Sequence, residues 1–115
     1  MRLLLFTPTE TGSAIARVSM LVYRALIDLD ERIHRAIYKA AHNDLMEKTL
    51  GDYYVLALRI WMIALNRDEA LEDAVEAHRP LLIDIAQGNA DKAADRMRAH
   101  VQDFEKAMHR VLVAV

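Results

Sequence analysis

The 115-residue sequence predicts an all-α fold, an antiparallel bundle of four or five helices joined by very short turns. Two observations carry that prediction. Three glycines and two prolines supply far too little punctuation for a set of strands and hairpins. Apolar residues also recur at the helical period, in stripes such as Leu71, Ala74, His78, Leu81, Ile85 and Ala93, Met97, His100, Phe104, Ala107. The length fits one domain, and a hydrophobic content of 54% is enough to give it a core.

Each element follows from local signals. Residues 1–12 are expected to form a poorly ordered leader, broken by Pro8 and Gly12, with Ser13 as the N-cap of a helical domain over 13–115. A helical pattern then runs to about Ala41, its apolar phase hardest to fix between Leu26 and Leu29. Asn43 is expected to cap a helix reaching about Leu65, and Asn66 or Asp68 to start another that ends at Gly88. Gly88-Asn89 reads as a C-cap followed by an N-cap, so the last helix begins at Ala90 and runs nearly to the C-terminus. Within the second helix, YYVLALRIWMIAL is apolar almost all round, which in so small a protein points to a helix shared between core and partner subunit, hence a homodimer.

Composition excludes several classes. A net charge of -2 and a pI near 6.2, with no cluster of Lys and Arg, argue against nucleic-acid binding by this chain alone. No cysteine means no disulfide, thiolate ligand or thiol nucleophile, as suits a reducing cytoplasm. The opening MRLLLF is too short for a signal-peptide core, and the run from Tyr53 to Leu65, interrupted by Arg59, falls short of the roughly 20 residues of a membrane span. A soluble, cytoplasmic protein is expected.

The chemistry-bearing residues are polar groups on apolar stripes. Asp30 and His34, one helical turn apart, share the stripe Ile27, Asp30, His34, Ile37, Ala41, while His78 and His100 each sit on their own. A lone histidine in such a place reads as a core residue satisfied by a nearby acceptor. Four groups buried separately would carry a heavy unmet polar demand, which one shared cation removes. One carboxylate and three imidazoles suit a divalent ion such as zinc, nickel or manganese, with positions left open in an octahedral shell. His42, at a helix end, and His109, on a polar face, need no such reading. Arg59, alone in its apolar run, has two readings: a salt bridge to Asp52 or Asp30 or a snorkelling head, or an anchor for a ligand carboxylate beside the metal. Tyr53, Tyr54 and Trp61 are placed to wall such a pocket.

The segments Asp30-x-x-x-His34, Ala40-Ala41-His42-Asn43-Asp44-Leu45, His78-Arg79-Pro80-Leu81-Leu82, Gln87-Gly88-Asn89-Ala90-Asp91-Lys92-Ala93-Ala94 and Met97-Arg98-Ala99-His100 together resemble the FCD domain, over roughly residues 26–112. That is the effector-binding domain of FadR-type regulators in the GntR superfamily of bacterial transcription factors. The resemblance implies a helical bundle, here shortened at its N-terminal end and lacking the winged-helix DNA reader. It also implies a metal held by Asp30, His34, His78 and His100 beside a cavity for a small carboxylate effector, with Arg59 serving that effector.

The competing readings are a metal-dependent enzyme on a bundle scaffold and a purely structural dimerisation module. Glu31-x-x-His34 looks like half of a di-iron motif, but Val75 and Met97 stand where the other half would need glutamate, three residues before His78 and His100. A non-enzymatic sensor is the expectation.

Overall fold

The computed structural model of the chain describes residues 8–64 and 68–113, which form five helices: α1 Pro8–Ala40, α2 Asp44–Ala64, α3 Asp68–Glu76, α4 His78–Ala86 and α5 Ala90–Val113. No strand occurs among the described residues. α1 begins at Pro8 and not at Ser13, so only residues 1–7 of the expected leader lie outside the described residues. Proline suits that place, because its fixed φ presets a helix and its missing N–H would be unpaired in a first turn anyway. α1 passes through Gly12 and through Leu26–Leu29 without interruption, for 33 residues or about 50 Å.

The turn after α1 is built by His42 and Asn43. His42 takes the left-handed backbone at φ 52°, and its N–H donates to the Lys39 carbonyl at 3.2 Å, closing the helix end. The Asn43 side chain then accepts from the Met46 N–H at 2.9 Å, so the expected N-cap of α2 is present.

The expected single helix up to Gly88 is two, parted at Ala77. Pro80 has no N–H to offer the carbonyl of Glu76, and its ring collides with that carbonyl in a continuous helix, so the axis changes just before it. Asn66 lies outside the described residues. α4 ends as the sequence suggests: the N–H of Gly88 (φ 75°) donates to Ile85 at 3.1 Å and that of Asn89 to Asp84 at 2.8 Å, a Schellman closure.

α1 packs on α2 and α3, and α5 packs on α4 and α2. At Gly51, where α1 meets α2, a Cβ would stand 3.1 Å from Nη1 of Arg35, the mobile end of a long side chain. Buried Asp84 ties α4 to α5 through a charge-assisted hydrogen bond from Arg96. Among the described residues the buried side chains are Tyr54, Val75, Leu81 and Met108 with His34, His78 and Asp84, so polar groups share the core with apolar ones. On α2, Leu56, Ile60, Met62 and Ile63 are exposed. No helix among the described residues is long and apolar enough to cross a membrane.

Candidate metal centre

Helical phase brings the histidines together. Asp30 and His34 lie one turn apart on α1, His78 is the first residue of α4 and His100 the third-turn residue of α5 facing it. One ligand atom from each of His34, His78 and His100 lies within 4.8 Å of the others. Asp30 joins through two of them, with Oδ1 3.7 Å from Nε2 of His34 and 3.8 Å from Nε2 of His78. His78 is 1% exposed and His34 9%.

Hydrogen bonds fix how these rings face. The Val75 carbonyl, which can only accept, lies 3.1 Å from Nδ1 of His78. Nδ1 therefore carries the proton, and Nε2 turns a lone pair into the cluster. That Nε2 is 2.9 Å from Nε2 of His34. Two such nitrogens face each other stably in two ways: one proton bridges them, or a cation takes both lone pairs. Two ligands about 2.1 Å from one ion stand about 3 Å apart at a right angle and about 3.4 Å apart at the tetrahedral angle, so the spacing fits the second way as well as the first. On the far side of His34, Nδ1 is 3.3 Å from the Tyr38 hydroxyl, which can accept or donate and so suits either state.

Burial disfavours the charged forms of His34 and His100. Burial is the largest influence on His34 and lowers its pKa from 6.5 to about 4, with Asp30 pulling the other way and His78 and His100 adding to the fall. His100 is lowered too, first by burial and then by His78. Neutral imidazoles are the form that binds metal, so His34 and His100 need give up no proton near neutral pH. Asp30 is braced by Tyr54, whose hydroxyl donates to Oδ2 at 2.6 Å. Burial and that bond raise the Tyr54 phenol, which stays a donor throughout. The donor set thus fits a divalent ion: three imidazole nitrogens, one carboxylate oxygen and a second layer that orients them.

Beside the cluster is a cavity of about 360 Å³ whose wall includes Asp30, His34 and His100, then Leu50, Tyr53, Ala57, Leu58, Trp61, Val101 and Phe104. Trp61 stacks on Phe104 with ring centroids 6.1 Å apart. Of the aromatic residues expected in the wall, Tyr53, Tyr54 and Trp61 all line it. Arg59 does not: it is exposed on α2, outside the cavity lining, and no ion pair reaches it among the described residues. Asp52 is taken by Lys48 at 3.1 Å and Asp30 by Tyr54. Of the readings of Arg59, its exposed place on α2 fits the snorkelling head, since that face of α2 is open to solvent. His42 and His109 are exposed and stand apart from the cluster, as expected.

Sequence reasoning saw Tyr54 only as wall. Its bond to Asp30 spans 24 positions, and helical phase within one segment does not register such a pairing. Asp84 and Arg96 were missed for the same reason, although an acid beside buried Leu81 on α4 signalled a buried charge in need of a partner.

A comparison with curated proteins and another with solved structures each return no match. The FCD domain family matches residues 16–103, a span that holds all four candidate ligands and the whole cavity wall except Phe104. The chain therefore belongs to the FCD domain family, the effector-binding regulatory domain of GntR-type transcription regulators.

Proposed function

We propose that this chain is a metal-dependent sensor of a small carboxylate, in which Asp30, His34, His78 and His100 hold one divalent ion, zinc, nickel or manganese. The observation that carries the reading is the face-to-face pair of Nε2 atoms at 2.9 Å, with Oδ1 of Asp30 within 3.8 Å of both. Bound there, the ion supplies a Lewis acid at the cavity end for an effector carboxylate. The protein's own part is to orient the imidazoles through Val75 and Tyr38, to hold Asp30 through Tyr54, and to exclude water with Trp61 and Phe104.

A binding role is favoured over catalysis because, among the described residues, no spare acid or base sits in the cavity. Glu31, the one acid of the Glu-x-x-His sequence, pairs with Arg35 at 3.0 Å. We further propose a cytoplasmic homodimer, with the exposed Leu56, Ile60 and Ile63 of α2 in its interface and Arg59 beside them. DNA reading belongs to another segment or partner, since the chain's charge of -2 supplies no basic surface. Elemental analysis of the purified protein and of His100→Ala tests the metal reading.

A further inference from the structure

We propose that the effector is a monocarboxylate with an apolar body, a medium-chain aliphatic or aryl-alkanoic acid, and not a polycarboxylate or sugar acid. The inference rests on the metal reading above and goes beyond it to the ligand class.

The shape of the cavity gives the first reason. Most of its polar groups, Asp30, His34, His100 and the two hydroxyls of Tyr38 and Tyr54, belong to the metal end. From Tyr54 the wall follows α2 to Trp61, two turns on and about 10 Å away. Along that path it presents Ala57, Leu58, Val101 and Phe104. A volume of about 360 Å³ equals roughly a dozen waters, room for a body of several carbons beyond the carboxylate.

Charge gives the second. A divalent ion with the Asp30 carboxylate leaves one positive charge, which one ligand carboxylate neutralises. Among the described residues no Lys or Arg lines the cavity, so a second carboxylate would lie unpaired against an apolar wall, a costly placement. Polar satisfaction gives the third. Tyr38 and Tyr54 already hold partners at His34 and Asp30, and Tyr53 is exposed at the rim. Trp61 Nε1 is buried without a partner, a single donor for a single distal acceptor. The several hydroxyls of a sugar acid would leave most of their hydrogen bonds unmade.

The test is calorimetric titration of the zinc-loaded full chain with octanoate, 3-phenylpropionate, succinate and gluconate, alongside a competition assay for zinc. Octanoate or 3-phenylpropionate should bind at least tenfold more tightly than succinate or gluconate, and metal removal should abolish that binding. Ala57→Trp, which fills the chamber without touching a metal ligand, should keep zinc and lose octanoate at least tenfold. Leu58→Arg, which adds the missing cation, should move preference toward succinate. Zinc binding with succinate or gluconate favoured, or with no acid bound, overturns this inference and leaves the metal site standing. Failure to bind zinc, nickel or manganese, each supplied in turn, overturns the metal reading and this inference with it.

Discussion

The Tyr54 hydroxyl donates to Oδ2 of Asp30 at 2.6 Å, and this leaves Oδ1 turned toward His34 and His78. The phenol thus decides which carboxylate oxygen is free for a cation. Removing only that hydroxyl, by Tyr54→Phe, should keep the buried ring and the fold. Metal affinity should fall about 10- to 100-fold, the usual cost of losing a group that orients a ligand. Titration against a chromophoric chelator measures it. Unchanged affinity would make the bond structural only.

The buried imidazoles give the metal-free protein a defined response to acid. His34 has a pKa of about 4 when folded against 6.5 when free, so between these values the unfolded chain binds more protons than the folded one. Stability present above pH 6.5 is therefore lost as the pH falls toward 4, and levels off below both values. His100, also lowered, acts with the same sign. Melting curves after chelator treatment should show a midpoint several degrees lower at pH 5 than at pH 7.5. A midpoint that rises on acidification would contradict the burial of His34.

The turn between α4 and α5 sets the distance between His78 and His100. Gly88 stands at φ 75° with nothing within 4 Å of the place a Cβ would take, so Gly88→Ala meets no clash and pays only for the left-handed backbone. A loss of about 1 to 2 kcal/mol in chemical denaturation is expected. No loss would mean that the turn readily adopts another conformation.

Much of this arrangement was legible along the chain. Helical phase alone put Asp30, His34, His78 and His100 on inward stripes, and Asn43 and Gly88 marked their turns through local backbone chemistry. The division at Ala77 was also written in Pro80, but the apolar phase runs on across it and hid the break. Burial was less legible. The run from Tyr53 onward is apolar, yet Leu56, Ile60 and Ile63 face outward, because hydrophobicity does not say which neighbour covers it.

Those outward residues carry the proposal of a homodimer. Light scattering at micromolar concentration should give about twice the chain mass of 13.1 kDa. Ile63→Glu, at a position 84% exposed in the single chain, should shift the protein toward monomer without unfolding it. A monomer at every concentration would assign this apolar face to something other than a second copy.

The metal centre itself is tested most directly by the metal content of the purified protein beside that of His100→Ala. The expected result is about one divalent ion per chain in the parent, and a joint fall in metal content and melting temperature in the variant, because a ligand bound only by the folded state stabilises it. Full occupancy and unchanged melting in His100→Ala, or a parent protein that takes up no divalent ion when one is supplied, would contradict the site formed by Asp30, His34, His78 and His100.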